Sequence, residues 1–253
     1  AASNGTELSG TAEAGSTIRL SVAGVQLDTV TVDANGNWHY IPTLPLADDT
    51  VVTAVAVDAA GNQSDPTTLV IDDRVPDLPV VLPSNGSLLS GTAEPGSTVI
   101  IRVGNQEVGR VSADTDGKWE FPISLPHGTS VSITATDATG NVSAPAIVVI
   151  DGLAPALPTI APSNGSVLSG TAEAGSTVIL TDSGGTAIGQ TIADAQGNWS
   201  YTPQTPLANG TQVIVVARDA AGNTSPPANT TIDNVAPAVP TIQASNGVVL
   251  TGT

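Results

Sequence analysis

The sequence predicts an all-β protein built from tandem seven-stranded β-sandwiches, and three observations lead to that prediction. Hydrophobic residues make up 40% of the 253-residue chain but aromatic residues only 2%, so aliphatic side chains and Thr must fill the core, which is typical of β-rich domains. Apolar residues alternate with Ser and Thr, as at Val131, Ile133 and Ala135, which is the period of a half-buried strand. Finally, the chain repeats itself.

Four motifs recur at spacings of 79 to 82 residues. A solenoid repeat has about 20–50 residues, whereas about 80 residues is enough for a small independent domain. We therefore predict domains at 1–72, 73–151, 152–233 and 234–253, the first lacking a complete first strand and the fourth partial, and we expect a fragment of a longer chain. The motifs are Ser-Asn-Gly from Ser3, Ser84, Ser163 and Ser245; Trp38, Trp119 and Trp199; Asp-Ala-x-Gly-Asn from Asp58, Asp137 and Asp219; and Ile-Asp at Ile71, Ile150 and Ile232.

Seven strands and no helix are predicted in the second repeat. They cover residues 79–82, 88–93, 98–103, 107–113, 118–123, 130–137 and 146–151. Short strands with turns at intervals of about 8–12 residues are typical of an immunoglobulin-like sandwich. We predict that the recurring Trp side chains lie in the core rather than on a sugar-binding surface, and that His39 and His127 lie on the surface.

The odd number of strands predicts how the domains join. Each antiparallel strand reverses the chain, so a seven-stranded domain ends at the pole opposite to its start, and the domains form a linear rod with roughly 40 Å per domain. The loops after the second, fourth and sixth strands lie at the N-terminal pole, where the connector from the preceding domain arrives. In the second repeat these loops are residues 94–97, 114–117 and 137–141, and the connector is 71–79.

Acidic residues gather in these loops and connectors. Carboxylates held close together repel one another unless a cation binds, and oxygen ligands on flexible loops in a chain without Cys are typical of Ca²⁺ sites. The alternative for an Asp in an Asp-x-x-Gly turn is that its side chain bonds its own backbone. The predicted Ca²⁺ ligands are Asp72, Asp73, Asp77, Glu94, Asp114, Asp116 and Asp137 at the first junction, Asp151, Glu173, Asp194 and Asp219 at the second, and Glu13, Asp33 and Asp58 in the first repeat.

Charge and motifs argue against several function classes. The net charge of −17 is opposite to that of nucleic-acid-binding or anionic-membrane-binding proteins. No apolar run of the length of a membrane span and no signal-peptide pattern are found in the sequence. No recurring acid–His–Ser set, no G-x-S-x-G elbow and no phosphate-binding loop is found either, so we predict a protein that is not an enzyme.

The segments "SGTAEAGST", "ADAQGNW", "DAAGN" and "APAVPTI" of residues 168–242 resemble the bacterial Ig-like tandem repeats of giant Gram-negative adhesins. These include biofilm-associated proteins of the Acinetobacter type and the giant adhesin of Salmonella. The resemblance covers the whole chain and is looser at "RVPDLP" in the first connector. It implies a long surface stalk exported by a type I system, with Ca²⁺ at its domain junctions. Carried over by motif, it supports Asp72, Glu94, Asp114 and Asp137 and their equivalents in the third repeat.

We therefore predict a Ca²⁺-stiffened extender segment of a secreted adhesin at the bacterial cell surface, acting in adhesion and biofilm formation. Its partners would be the neighbouring repeats of the same chain and, through other parts of the full protein, a host or matrix surface; the fragment itself is expected to be a monomer. Two alternatives stay open: a module that binds a glycan or host receptor, and an accessory module of a secreted polysaccharide-active enzyme. Aromatic residues that recur in register in every repeat favour the extender over a single binding patch.

Overall fold

The computed structural model describes residues 2–243 and Gly247, and within them the chain forms nineteen β-strands and no helix. The chain divides into two compact units after Asp151. The strands are β1 (Leu8–Thr11), β2 (Thr17–Val22), β3 (Val25–Thr31), β4 (Asn37–Tyr40), β5 (Val51–Val57), β6 (Thr67–Val70), β7 (Val80–Val81), β8 (Leu88–Thr92), β9 (Thr98–Val103), β10 (Gln106–Ser112), β11 (Lys118–Pro122), β12 (Ser130–Thr136), β13 (Ala146–Val149), β14 (Leu168–Thr171), β15 (Thr177–Asp182), β16 (Ala187–Ile192), β17 (Asn198–Tyr201), β18 (Gln212–Arg218) and β19 (Ala228–Thr231).

The second repeat is the seven-stranded sandwich that the sequence predicts. One sheet has three strands in the order β11-β8-β7, and the other has four in the order β10-β9-β12-β13. Every pair in these two sheets is antiparallel. The alternating apolar residues of β9 and β12 therefore point into the space between the sheets. The all-β, immunoglobulin-like prediction is confirmed.

The first and third repeats have the same arrangement with six assigned strands each. Their four-stranded sheets are β3-β2-β5-β6 and β16-β15-β18-β19, and their second sheets are the pairs β1-β4 and β14-β17. In the third repeat, Thr159 N donates to Thr171 O at 2.7 Å and Ala161 N donates to Ser169 O at 2.8 Å. Residues 159–161 thus lie along β14 as β7 lies along β8. Within residues 2–243, β1 is paired with β4 alone.

Trp and Gly face each other in the smaller sheet of each repeat. Trp119 is opposite Gly91, and Trp199 is opposite Gly170. Both indoles are 3% exposed, as the core prediction requires. A Cβ added at Gly91 would lie 3.1 Å from the indole of Trp119 but only 1.9 Å from Val80 O, so the close approach of β7 is what requires glycine here.

The first repeat differs in that its core is open. Trp38 is only half-buried, and Ala54 stands where the second repeat has the fully buried Ile133. A cavity of about 670 Å³ lies beside β1 and reaches Trp38, Ala54 and Leu69. The cavity has two causes: the smaller side chain on β5, and the edge of β1 that the described residues leave uncovered.

Candidate functional site

The aspartate of the loop at 137–141 organises that loop through its own side chain. Asp137 Oδ1 accepts hydrogen bonds from Thr139 N at 2.8 Å, Thr139 Oγ1 at 2.8 Å and Asn141 N at 2.9 Å. Its Oδ2 accepts one from Asn141 Nδ2 at 2.8 Å. Both oxygens are therefore engaged inside the loop, which is the turn-forming arrangement of Asp-x-x-Gly sequences.

The same arrangement recurs at the other predicted Asp-x-x-Gly turns. Each carboxylate accepts the backbone N–H of the residue four positions later at 2.7 to 2.9 Å. The sequence missed one further turn, at Asp182, whose Oδ1 accepts Gly184 N at 2.9 Å and Thr186 N at 2.8 Å; its "DSGG" could have revealed it. The predicted residues with this geometry are Asp33, Asp58, Asp114, Asp194 and Asp219.

The acid of the recurring "TAE" turn contributes its carbonyl group to the turn. Glu94 O accepts hydrogen bonds from Ser97 N at 3.0 Å and Ser97 Oγ at 2.7 Å. The carbonyls of Glu13 and Glu173 do the same with Ser16 and Ser176. All three glutamate side chains are exposed, so the turn geometry itself does not require a carboxylate.

The connector between the first two repeats is held by Asn141. Its Nδ2 lies 2.8 Å from Asp72 O, across 69 positions of sequence, as well as 2.8 Å from Asp137 Oδ2. Asn141 is 6% exposed. Removing its side-chain amide would take away the donor that Asp72 O accepts from in this contact. From the sequence, Asn141 was predicted only as a turn residue. The recurrence of Asn62, Asn141 and Asn223 at the same motif position could have indicated a role beyond the turn.

The connector is also tied to the repeat that it leaves. Asp72 N donates to Ser3 O at 3.1 Å, and Asp72 Oδ1 accepts Arg74 N at 3.3 Å. Asp73 N donates to Asp48 Oδ1 at 3.2 Å. Pro76, further along the connector, is buried. The recurring Ser-Asn-Gly and Ile-Asp motifs therefore meet at the C-terminal pole of the first repeat.

The predicted Ca²⁺ ligands come together only in part. Loops 94–97 and 113–117 are joined by a hydrogen bond from Gly96 N to Ala113 O at 3.1 Å, and Glu13 and Asp58 line one cavity in the first repeat. Among the described residues, which include every predicted ligand, no three His, Cys, Asp or Glu side chains are grouped so that they could hold a metal ion. Asp151 Oδ1 lies 3.4 Å from His127 Nδ1 instead.

As arranged, these residues do not fit a Ca²⁺ ion. Ca²⁺ takes six to eight oxygen ligands, whereas Asp137 gives both carboxylate oxygens to its own loop and Asn141 presents an N–H group to the connector. An ion at this place would have to replace those hydrogen bonds.

The turn hydrogen bonds also lower the pKa of several aspartates. At Asp33 the backbone N–H of Asn37 is the main cause of the lower pKa. At Asp137 burial acts most strongly and raises the pKa, but hydrogen bonds from Thr139 and Asn141 together outweigh it, so the pKa is lowered. The other aspartates with a lowered pKa are Asp58, Asp182 and Asp194.

We therefore expect acid to destabilise the protein. A carboxyl group whose pKa is lower in the folded state than its unfolded value of about 3.9 stabilises the fold above that pH, and this stabilisation is lost as the pH falls through the folded-state pKa. The melting temperature should drop between about pH 5 and pH 2. It should drop less in Asp137→Asn, whose amide does not titrate, than in the matched variant Asp77→Asn in the exposed connector. Equal drops in the two variants would contradict this expectation.

Within the described residues, no helix is long and apolar enough to cross a membrane.

Comparison with known proteins identifies a family. Residues 1–73, 76–151 and 154–234 each match the family described as bacterial Ig domain. No curated protein sequence matches the chain significantly. Among solved structures, the BSP domain of a biofilm-associated protein shares 15% identity over 90% of this chain, with a TM-score of 0.31. The match spans 58% of that structure's own length.

Two further solved structures are similar to this chain. A segment of titin shares 12% identity over 91% of this chain and 94% of its own, with a TM-score of 0.27. The fibronectin(III)-like modules of Clostridium thermocellum CbhA share 16% identity over 59% of this chain and 88% of their own, with a TM-score of 0.33.

Proposed function

This chain belongs to the bacterial Ig domain family, and from that premise we propose that it is an extender segment of a bacterial surface adhesin. Its role would be to hold other parts of the full protein at a distance from the cell. The proposal places the chain outside the cell and gives it no enzymatic activity. The observation that carries it is that the described connector is fixed at both ends by motifs that recur along the chain.

The first fixed point is at the C-terminal pole of each repeat. Asp72 N donates to Ser3 O, Asp151 N to Ser84 O, and Asp233 N to Ser163 O, at 2.9 to 3.1 Å. The last strand of each repeat is thus tied to that repeat's own Ser-Asn-Gly turn. A short chain segment that leaves a domain with a fixed backbone direction has few conformations to lose, which favours a defined junction.

The second fixed point is the bond from Asn141 to Asp72 O, which links the second repeat to the connector of the first. A hydrogen bond of this kind contributes about 0.5–1.5 kcal/mol net. The bond is enough to bias a junction, although the sandwich cores decide whether the domains fold.

Asn141→Ala should therefore loosen the connector while leaving both sandwiches folded. Arg74 lies in the exposed part of the connector, so trypsin cleavage after Arg74 reports how often the connector opens. We expect initial cleavage there to be about fivefold to tenfold faster, which corresponds to a loss of about 1–1.4 kcal/mol.

Asn62→Ala is the matched control for that experiment. Asn62 closes the equivalent turn of the first repeat by donating to Asp58 Oδ2 at 2.7 Å, so its loss should leave cleavage after Arg74 unchanged. Cleavage that is equally fast in both variants, or unchanged in Asn141→Ala, would show that Asn141 does not hold the connector.

Ca²⁺ stiffening is the part of this proposal that rests on charge. The chain has 23 acidic and 6 basic residues, and extracellular modules bind Ca²⁺ with a Kd of about 10⁻⁴–10⁻³ M. The proposal requires the loop at 137–141 to exchange its internal hydrogen bonds for bonds to the ion. As described, no three acidic or His side chains of the described residues are grouped so that they could hold a metal ion.

Calorimetric titration of the chain with CaCl₂ tests the Ca²⁺ proposal. Binding in the range of about 0.1–1 mM should appear. Glu94→Ala combined with Asp137→Ala should remove binding at the first junction. A titration without saturable heat up to about 10 mM, or equal loss in the matched variant Asp28→Ala on β3, would refute it.

A second function, glycan or receptor binding, has less in its favour. Two of the three recurring Trp side chains are buried, and Trp38 lines a cavity inside its own repeat. The described indoles therefore offer no flat platform for a sugar.

A further inference from the structure

The last strand of the second repeat is an open sheet edge whose exposed side chains are aliphatic. Within residues 2–243, β13 ends its sheet and has β12 as its one strand partner. Val148 packs against the core, whereas Ile147 and Val149 point outward and are 60% and 57% exposed. The strand contains no charged residue and no Pro, which are the features that usually keep an edge from pairing with another chain.

The backbone groups of Ile147 and Val149 also face this open edge. Ile150 N donates to Thr129 O at 2.9 Å, and Ile150 O accepts Gly128 N at 2.8 Å, so Ile150 turns both groups towards the β12 side. Because the direction of these groups alternates along a strand, those of Ile147 and Val149 point away from β12. Each of the two residues therefore presents one donor and one acceptor at the edge.

The other two repeats do not carry this pair of large aliphatic side chains. By strand pairing, the equivalent positions are Thr68 and Val70 on β6, and Asn229 and Thr231 on β19. Val70 is 54% exposed, so the first repeat has half of the pair and the third repeat has none. The apolar edge is therefore a property of the second repeat and not of the fold.

The neighbouring edge of the smaller sheet extends the apolar surface. β7 lies beside β13, and Val80 on β7 and Leu82 just after it are 57% and 52% exposed. Their counterparts in the third repeat, Thr159 and Ala161, are polar or small. The same side of the second repeat thus exposes four large aliphatic side chains.

The opposite edge of the four-stranded sheet is protected. Arg110 Nη2 on β10 lies 2.7 Å from Glu107 Oε1, so charged side chains occupy that edge. The pairing of β10 with β9 is also shifted by a bulge between Glu107 and Gly109. Charges and bulges both keep a strand from pairing with another chain, so in this sheet β13 is the edge that can accept a strand.

The sequence of β13 is complementary to itself in the antiparallel direction. With Val148 opposite Val148 of a second copy, Ile147 of each copy lies opposite Val149 of the other. These four side chains share one face of the joined sheet and pack as cross-strand pairs, while the edge donors and acceptors of the two copies meet. Asp151 would lie opposite Pro145 and not opposite another carboxylate.

The size of this surface predicts a weak contact. The four aliphatic side chains expose roughly 400 Å² on each copy, so a pair would bury roughly 800 Å² in addition to the strand edges, which is the size of weak or transient interfaces. The net charge of −17 on each copy opposes association unless salt screens it. A reversible dimer that salt strengthens is therefore expected.

We propose that β13 of the second repeat pairs with β13 of a second copy of this chain, antiparallel about a two-fold axis at Val148. The two four-stranded sheets then join into one sheet. Both copies use the same surface, so the contact closes at a dimer. This differs from the monomer expected from the sequence, and it does not depend on the extender role.

Sedimentation velocity of the full 253-residue chain, over about 1–500 µM, tests the proposal. The average mass should rise towards that of a dimer and not beyond it, and more steeply in about 0.5 M than in about 0.05 M NaCl. Val149→Asp should weaken association at least about tenfold, because a charge would meet an apolar side chain of the second copy. Val70→Asp is the matched control at the equivalent position of β6, and association should persist in it.

Two oppositely charged variants test the pairing of the strands. One carries Ile147→Lys with Val149→Lys, and the other carries Ile147→Asp with Val149→Asp. Each alone should stay monomeric because like charges lie opposite each other. Their equimolar mixture should form a one-to-one dimer because opposite charges then face each other. In the wild-type chain, the amides of Ile147 and Val149 should gain protection from hydrogen exchange as the concentration rises.

A wild-type chain that is monomeric over the whole range at both salt concentrations overturns the proposal. So does association that Val149→Asp leaves intact, or that Val70→Asp weakens equally. A mixture of the two charged variants that stays monomeric contradicts the pairing of β13 with itself. Association without added protection at Ile147 and Val149 would show that the copies meet through another surface.

Discussion

Trp119→Ala is expected to destabilise the second repeat by about 3–5 kcal/mol, which is the cost of replacing a buried Trp by Ala. The indole is 3% exposed and packs in a core with Leu89, Val99 and Ile133. Trp38→Ala removes the same side chain at the equivalent position of the first repeat, where the ring is half-buried beside a cavity. It should cost about half as much, because less apolar surface is re-exposed.

Hydrogen exchange measured strand by strand separates the two effects, since each repeat has its own core and local opening free energies differ across a structure. Protection should fall in β8 and β12 of Trp119→Ala and in β1 and β5 of Trp38→Ala, by the unequal amounts given above. Equal losses in the two variants would mean that the core of the first repeat is closed in solution.

Gly91→Ala is expected to displace β7 from β8. The new Cβ would lie 1.9 Å from Val80 O, a distance that backbone atoms cannot tolerate, so the two strands must separate. The hydrogen bond from Leu82 N to Ser90 O at 2.9 Å and the packing of Val81 would be lost. Together these amount to about 2–3 kcal/mol.

Gly10→Ala provides the matched control. Its Cβ would meet the Trp38 ring at 2.9 Å, much as Gly91→Ala meets Trp119, but no covering strand lies above it in the described structure. The excess cost at Gly91 should therefore be about 2 kcal/mol and should appear as lost exchange protection at Leu82 N. A similar cost at both glycines, with Leu82 still protected, would show that the close approach of β7 is not what requires Gly91.

The strands were predictable because burial imposes a period of two on them. The predicted strand 98–103 coincides with β9, and 107–113 is shifted by one residue from β10, where the pairing with β9 has a bulge between Glu107 and Gly109. A bulge is set by how two strands pair, and one strand's sequence does not reveal it. The start of a fourth repeat is predicted at 234–253, and of this segment Val248 to Thr253 lie outside the described residues.

The candidate site was predictable in its location but not in its chemistry. Because successive strands run in opposite directions, the sequence correctly predicted that residues 137–141 lie beside the connector. The sequence could not show whether Asp137 turns its carboxylate towards an ion or towards its own backbone, because both roles use the same residue types at the same spacing. Nor could it show that Asn141, a neutral residue, reaches Asp72 O: that contact depends on packing between repeats. The rod and the Ca²⁺ sites stay predictions.

The central claim is that the connector is held by the domain that follows it, and a distance measurement across the first junction tests this most directly. The chain has no Cys, so Thr31→Cys and Ser112→Cys, at equivalent exposed ends of β3 and β10, give a single pair of spin labels. Pulsed electron paramagnetic resonance should show a narrow distance distribution that broadens in Asn141→Ala and not in Asn62→Ala. A distribution that is already broad in the wild-type chain, or that Asn141→Ala leaves unchanged, would contradict the account.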